Sequence, residues 1–298
     1  MKSLVKRFRN LTAVDGISFS VERGQVVGLL GPNGAGKSTT IHMLIGLTRY
    51  DQGSIRYFDM DYSKHRLACL QRINFTSSYN DLQFRITVGQ NLKVFAGLYC
   101  VKNSAAKISN LLDYFEISDL VDQTFWSLSA GQKTRVNLIK ALLNDPELLL
   151  MDEPTASLDP DIADKTLTLI ENLRASRGLS ILYTSHNMAE VERICDTVVF
   201  LDHGRIVASD TPSALTKRIP NSHLRITFSP AGHDVAAAWL AQSRHEHEFR
   251  GHNLLGVAVS EREIPKVLFG LSEAGVEISD IEIDKPTLED VFLQIARS

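Results

Sequence analysis

The chain reads Val26-Val27-Gly28-Leu29-Leu30 and continues directly as Gly31-Pro32-Asn33-Gly34-Ala35-Gly36-Lys37-Ser38. The first five residues form a continuous apolar run, which predicts a strand buried on both faces of a sheet. The next eight match the phosphate-loop pattern G-x-x-x-x-G-K-S/T at every fixed position. A helix through about Leu47 is predicted to follow, so the loop has the strand–loop–helix context that separates this motif from a chance glycine-rich turn.

The loop predicts a nucleotide site. Its glycines let the backbone wrap around phosphates, with N–H groups pointing inward and the positive end of the next helix facing the same anion. Lys37 is expected to reach the β- and γ-phosphates, and the Ser38 hydroxyl to ligate Mg²⁺. The predicted nucleotide-binding residues of this segment are Gly31, Pro32, Asn33, Gly34, Ala35, Gly36, Lys37, Ser38 and Thr39.

Further apolar runs predict buried strands at residues 148–151, 181–184 and 198–201. Residues 161–177 between them predict a helix, which Pro160 would begin. Strands that alternate with helices predict an α/β fold with a mostly parallel sheet.

The remaining segments predict the domain organisation. Residues 88–140 have helical periodicity, which predicts an inserted helical subdomain within a first domain at 1–219. Strands at 223–228, 254–259 and 276–283 and a helix at 286–296 predict a small C-terminal α/β module at 220–298.

Composition excludes several classes of protein. A net charge of −3 gives no indication of nucleic-acid binding. No apolar run approaches the ~20 residues that span a bilayer, and the first residues lack a signal peptide's apolar core, so a cytoplasmic location is expected. Cys69, Cys100 and Cys195 are far apart and are interpreted as reduced, buried thiols.

Two further motifs follow the phosphate loop in a fixed order. One is Leu128-Ser129-Ala130-Gly131-Gln132, and the other is Asp152-Glu153 after the run at 148–151. This ordered trio resembles the ATP-binding cassette (ABC) ATPase family, whose signature peptide reads Leu-Ser-Gly-Gly-Gln. The resemblance covers residues 2–215 and implies ATP and Mg²⁺ as cofactors. It also implies a phosphate-loop NTPase core with a mostly parallel sheet, an antiparallel β subdomain and the inserted helical subdomain.

The resemblance gives roles to the two acids. Asp152 would hold Mg²⁺ from the end of its strand, and Glu153 would orient or deprotonate the attacking water. The alternative is that one acid caps the next helix while the other is solvated.

Three more residues match family positions. His186 follows the end of the strand predicted at 181–184 and would contact the γ-phosphate as a second catalytic residue. Asp159 matches the D-loop at a dimer interface, although it is also a plain helix cap. Phe8 either stacks on adenine through its π face or is an ordinary core phenylalanine.

One position departs from the family. Relatives carry a glutamine before the helical subdomain, and aligning Ile86-Thr87-Val88 with the usual Leu-Thr-Val places Ser78 there. Serine is too short to replace the amide directly, so a bridging water or Gln83 would have to substitute. Ser78 therefore stands with Ser38 and Asp152 as a predicted metal-site residue.

The signature peptide has two interpretations. Ser129 and Gln132 have capping-box spacing, which predicts a well-capped helix. The family adds a role, because this helix end would bind the γ-phosphate of ATP held by a second ABC ATPase subunit. Two identical complete sites make a homodimer the simpler assembly.

The function predicted is the ATP-hydrolysing subunit of an ABC transporter. It would drive a separate integral-membrane permease from the cytoplasmic face, and residues 285–293 are similar to the tail of cassettes serving type-2 exporters. The alternatives are a non-transport ABC ATPase or a nucleotide-binding regulator. Translation-type relatives carry two cassettes in one chain, whereas this sequence has one. Repair-type relatives insert a long coiled coil, for which the interval from Ser38 to Leu128 is too short. The presence of Glu153 and His186 argues against a regulator that does not hydrolyse ATP.

Overall fold

The computed structural model describes residues 1–78, 81–219, 222–243 and 245–296. Two compact units divide the chain, Met1–Pro212 and Ser213–Ser298. Residues 220 and 221, where the sequence predicts the second domain to begin, lie outside the described residues. The domain division at 219/220 therefore stays a prediction.

The first unit contains the predicted strand–helix alternation. Its strands are β1 (Lys2–Phe8), β2 (Leu11–Ile17), β3 (Val26–Leu30), β4 (Gln52–Ser54), β5 (Arg56–Tyr57), β6 (Met60–Asp61), β7 (Ile73–Ser77), β8 (Leu148–Asp152), β9 (Ser180–Thr184), β10 (Thr197–Asp202) and β11 (Arg205–Asp210). Its helices are α1 (Lys37–Leu44), α2 (Arg66–Gln71), α3 (Val88–Leu98), α4 (Ser104–Tyr114), α5 (Ala130–Leu142), α6 (Pro160–Arg177) and α7 (Met188–Ile194).

The main sheet has the strand order β11-β10-β3-β9-β8-β7. All neighbouring strands are parallel except β11, which is antiparallel to β10. Every residue of β3 and β9 is buried, as continuous apolar runs predict for strands covered on both faces. Because β3, β7, β8 and β9 are parallel, their carboxyl ends meet at one edge, where the candidate site lies.

The predicted antiparallel and helical subdomains are both present. Strands β2, β1 and β4 form an antiparallel sheet, and α3, α4 and α5 lie between β7 and β8 in the chain. The helix after the phosphate loop is shorter than predicted and ends at Leu44. Gly46 has φ 78°, so the chain leaves the helix there in a left-handed conformation that glycine adopts without strain.

The second unit has its own sheet and core. Its elements are α8 (Pro212–Thr216, which begins at the last residue of the first unit), β12 (Ser222–Phe228), α9 (His233–Gln242), β13 (Glu246–Arg250), β14 (Leu254–Val259), α10 (Ile264–Glu273), β15 (Ile278–Asp284) and α11 (Leu288–Ala296). The antiparallel sheet has the order β13-β14-β12-β15. With α9 and α10 this is the βαββαβ arrangement of ferredoxin-like domains, and apolar residues of β12, β14, α9 and α10 form its core.

Details of the second unit differ from the prediction. Strand β13 was not predicted, and the last helix begins at Leu288 instead of residue 286. The hydroxyl of Thr287 accepts a hydrogen bond from the backbone N–H of Asp290 at 3.3 Å. Thr287 therefore caps the helix, and a capping residue lies just before the first helical residue.

Two whole-chain expectations can be compared with the structure. Cys69 and Cys195 are buried, but Cys100 is exposed, so the prediction of buried thiols is wrong for Cys100. Within the described residues, no helix combines the length and apolar character that crossing a bilayer requires.

Candidate functional site

The phosphate loop connects β3 to α1, and two of its positions have no room for a side chain. Gly31 has φ 147° and Gly36 has φ 102°. A Cβ on Gly31 would lie 2.2 Å from the carbonyl oxygen of Leu201, and a Cβ on Gly36 would lie 2.4 Å from that of Ala13. Side chains at these positions would therefore push the loop away from both neighbouring strands.

Lys37 lies inside the curve of the loop. Its Nζ donates hydrogen bonds to the carbonyls of Gly31 at 2.6 Å and Pro32 at 3.2 Å. Burial lowers the pKa of Lys37, while the carboxylates of Glu153 and Asp152 act in the opposite direction. The structure thus places this cation close to both acidic residues that the sequence singled out.

Thr184 joins the ends of β8 and β9. Its Oγ1 donates to Asp152 Oδ1 at 2.7 Å, and the backbone N–H of Glu153 donates to Thr184 Oγ1 at 3.0 Å and to its carbonyl oxygen at 3.1 Å. The sequence predicts Thr184 only as the end of a strand. The signal that would have found it is the register, because Asp152 and Thr184 are direct partners in the parallel pair.

Glu153 and His186 form a close pair beyond these strand ends. Glu153 Oε1 and His186 Nε2 lie 2.7 Å apart. Glu153 has φ 50°, a left-handed conformation that costs about 1–3 kcal/mol in a residue with a Cβ. Pro154 follows directly, and a residue before proline prefers extended backbone. The surrounding hydrogen bonds must therefore hold Glu153 in this conformation.

Ser78 lies at the same edge of the sheet. Ser77, the last residue of β7, pairs with Asp152, so Ser78 directly follows the strand beside the acidic end of β8. Its Oγ is buried and has no hydrogen-bond partner among the described residues. An orphaned hydroxyl fits a role toward water or a metal. The possible substitute Gln83 is fixed through its backbone, which exchanges hydrogen bonds of 3.0 and 2.9 Å with the Asn91 side chain.

The oxygen-rich edge suits Mg²⁺. This ion takes oxygen ligands and keeps waters and substrate phosphates in its shell. The Ser38 and Ser78 hydroxyls and the Asp152 carboxylate supply such oxygens. In the part of the chain that the structure describes, no group of three or more His, Cys, Asp or Glu side chains could hold a metal. The Ser38, Ser78 and Asp152 oxygens fit an ion that also takes phosphate oxygens of a nucleotide as ligands.

The signature peptide begins α5 as the spacing predicts. Ser129 is the N-cap, its Oγ accepts from Gln132 N at 3.3 Å, and Gln132 Oε1 accepts from Ser129 N at 2.9 Å. A Cβ on Gly131 would lie 2.6 Å from Ile162 of α6. Among the described residues, no hydrogen bond or ion pair joins 128–132 to the phosphate loop.

Two further predicted residues are exposed. Phe8 faces Leu11 across the turn between β1 and β2 and is 46% exposed, so its ring is accessible for stacking rather than buried in the core. Asp159 occupies the N-cap position of α6, but its side chain makes no capping hydrogen bond. Both side chains are thus exposed, and the Lys6 ammonium lies over the Phe8 ring at 5.0 Å from its centroid.

Comparisons with known proteins agree with this geometry. The family model for ABC transporter matches residues 14–156. The chain is 30% identical to the linearmycin resistance ATP-binding protein of Bacillus subtilis, covering 99% of this chain and 96% of that protein. It is 33% identical to the Nod factor export ATP-binding protein I of Ralstonia nicotianae, covering 99% and 92%. A solved structure described as the ATP binding subunit of an ABC transporter superposes with a TM-score of 0.66 at 28% identity, covering 73% and 91%.

The chain belongs to the ABC transporter family, as an ATP-binding subunit. Domains of this family bind ATP and are generally ATPases. The transporter assignment is therefore supported over the non-transport alternatives.

Proposed function

We propose that the protein hydrolyses ATP with Mg²⁺ and that Glu153 and His186 are its catalytic residues. The observation that carries the proposal is the 2.7 Å contact of Glu153 with His186 at the sheet edge that also bears the phosphate loop. Glu153 would orient or deprotonate the attacking water, and His186 would hold that carboxylate and contact the γ-phosphate. Phe8 would stack on the adenine ring.

Charge stabilisation would come from the loop. Backbone N–H groups of the phosphate loop and the Lys37 ammonium would lie where charge develops on the phosphates. When bound, Mg²⁺ would neutralise charge on the β- and γ-phosphates, held by Ser38, Asp152 and Ser78. Lys37 would exchange its bonds to loop carbonyls for bonds to phosphate oxygens.

We further propose that a second copy of the chain completes each site. Residues 128–132 contain a capped helix N-terminus, which suits an anion. Asp159 is exposed three residues before Ile162, the α6 residue that packs close to Gly131. These residues would face the ATP of the partner in a homodimer. An integral-membrane permease would hold the dimer at the cytoplasmic face, and nucleic acid is not among the proposed partners. Relatives named for Nod factor export and for linearmycin resistance support an export role.

The test is Glu153→Gln. We expect turnover to fall by roughly 100-fold or more, as for loss of a group acting in the transition state, and the variant to accumulate as an ATP-bound dimer in light scattering. Glu192→Gln, an exposed glutamate, is the matched control and should leave turnover unchanged. Undiminished turnover in Glu153→Gln would refute the catalytic assignment.

The Ser78 loop needs its own experiment. ATPase activity of Ser78→Ala and Gln83→Ala, measured across a Mg²⁺ titration, should show a raised Mg²⁺ requirement in at least one variant. If neither variant changes the titration, this loop does not take part in metal binding.

A further inference from the structure

Glu190 is a buried carboxylate on α7, only 7% exposed. Its Oε2 atom accepts three hydroxyl hydrogen bonds, from Thr155 Oγ1 at 2.7 Å, Tyr183 Oη at 2.8 Å and Ser185 Oγ at 2.8 Å. All three donors are neutral. A buried charge is costly in free energy unless hydrogen bonds compensate it. The Glu190 carboxylate therefore needs these three hydroxyl groups to stay in place.

The donors come from both segments of the proposed catalytic pair. Thr155 lies two residues after Glu153, and Ser185 directly precedes His186. Glu190 therefore ties the chain that leaves Glu153 to the chain that enters His186.

The direction of the Ser185 hydrogen bond is fixed by a neighbour. Ser185 Oγ accepts from the backbone N–H of Asn187 at 3.0 Å, so the single hydroxyl proton of Ser185 is free to go to Glu190. A carboxylate oxygen can accept from several hydroxyls at once, whereas an amide presents donors at one end. Asn187 Nδ2 donates to the other oxygen, Oε1, at 3.4 Å. A glutamine in place of Glu190 would keep the volume, but its NH2 group would face either the three hydroxyls or the Asn187 amide, and it can accept from neither.

The hydrogen bonds of Glu190 also support the backbone of Glu153. The left-handed φ of 50° at this residue persists only if its surroundings determine it. Thr184 holds the N–H of Glu153 on one side, and Glu190 holds Thr155 on the other. Loosening the second hold would let the Glu153 carboxylate move relative to His186.

We propose that Glu190 is a positioning residue for ATP hydrolysis, acting through Thr155 and Ser185 on the geometry of the Glu153–His186 pair. The proposal rests on the proposed function. Glu190 itself contacts neither the phosphate loop nor the residues assigned to Mg²⁺ among its hydrogen-bond partners.

The first test is Glu190→Gln against Glu192→Gln on the same helix. A displacement of about 1 Å at a reacting group can cost up to about 100-fold in rate, so we expect kcat to fall by about 10- to 100-fold. KM for ATP should change by less than about threefold, because ground-state binding is left intact. An unchanged kcat in folded Glu190→Gln would overturn the proposal.

A second pair of variants removes dependence on the folding of Glu190→Gln. Thr155→Val keeps the shape of the side chain and removes one hydroxyl, whereas Thr155→Ser retains the hydroxyl. We expect Thr155→Val to lower kcat and Thr155→Ser to restore it, at temperatures well below the Tm of both. Equal kcat in the two variants would show that the hydroxyl contact serves stability alone.

Failure of this proposal can be told from failure of the proposed function. If Glu153→Gln abolishes turnover while Glu190→Gln and Thr155→Val retain it, only the positioning role is refuted. If Glu153→Gln itself retains turnover, the proposed function fails first.

Discussion

Ser129 allows the two roles of the signature peptide to be separated. In Ser129→Ala the helix loses the hydrogen bond from Gln132 N to Ser129 Oγ, 3.3 Å long in the structure. Loss of an N-cap costs about 1 kcal/mol, which lowers the Tm of a domain of this size by roughly 2–4 °C. In Ser129→Asp the cap is retained, since aspartate caps as well as serine and its charge favours the helix N-terminus.

Binding to a partner's ATP should be weakened more by Ser129→Asp than by Ser129→Ala, the reverse of the effect on stability. A carboxylate at residue 129 would meet the γ-phosphate, and two like unit charges about 4 Å apart near a protein surface repel by about 4 kcal/mol. At 1.4 kcal/mol per tenfold, this repulsion amounts to roughly a thousandfold at each of the homodimer's two sites, so Ser129→Asp should weaken the ATP-dependent dimer by at least roughly a thousandfold. Ser129→Ala should weaken it far less.

The assay measures both quantities on the same proteins. Thermal unfolding reports the cap, and sedimentation of the two variants in the Glu153→Gln background with ATP reports the dimer. If Ser129→Asp dimerises as strongly as the protein with Ser129, the reasoning is refuted. The helix end would then face no phosphate, and residues 128–132 would serve only as a helix cap.

Three further outcomes are expected. Gly36→Ala should abolish ATP binding in a fluorescence titration, because its Cβ would lie 2.4 Å from a backbone carbonyl, whereas Gly34→Ala, with no atom within 4 Å, should cause a smaller loss. Burial lowers the pKa of Lys140 to about 8 from 10.5, so the unfolded state holds more protons above that pH. In urea titrations, the free energy of unfolding of the wild type minus that of Lys140→Met should therefore rise by about 2 kcal/mol between about pH 7 and pH 9.5. Gly270→Ala should destabilise the second unit by about 1–3 kcal/mol in the same titrations, since its Cβ would lie 2.3 Å from Trp239; unchanged stability would contradict this.

Local pattern was enough to predict the elements that carry the site. The run at 26–30 became β3 with the same bounds, and the run at 254–259 became β14, because both are apolar and each end is bordered by a polar residue or by a glycine-proline turn. Strand β13 was missed because Glu246–Arg250 is an exposed strand rich in charged residues, without the alternation that marks a half-buried strand.

The geometry of the site depends on distant pairing that no local pattern contains. The hydrogen bond between Thr184 and Asp152 exists because β8 and β9 pair in one register out of several possible ones. The left-handed φ of Glu153 likewise results from tertiary hydrogen bonds and opposes the local preference before Pro154. Motifs therefore predicted which residues meet, and the sheet determined how they meet.

The strand order has a consequence for synthesis of the chain. Strand β3 leaves the ribosome first of the parallel strands, yet its two neighbours in the sheet are β9 and β10, which are made last. At roughly 5–20 residues per second, the apolar strand that carries the phosphate loop waits on the order of ten seconds for both partners. We therefore expect nascent chains that stop before β9 to expose β3 and to bind chaperones, and to acquire nucleotide affinity only after β10 has emerged.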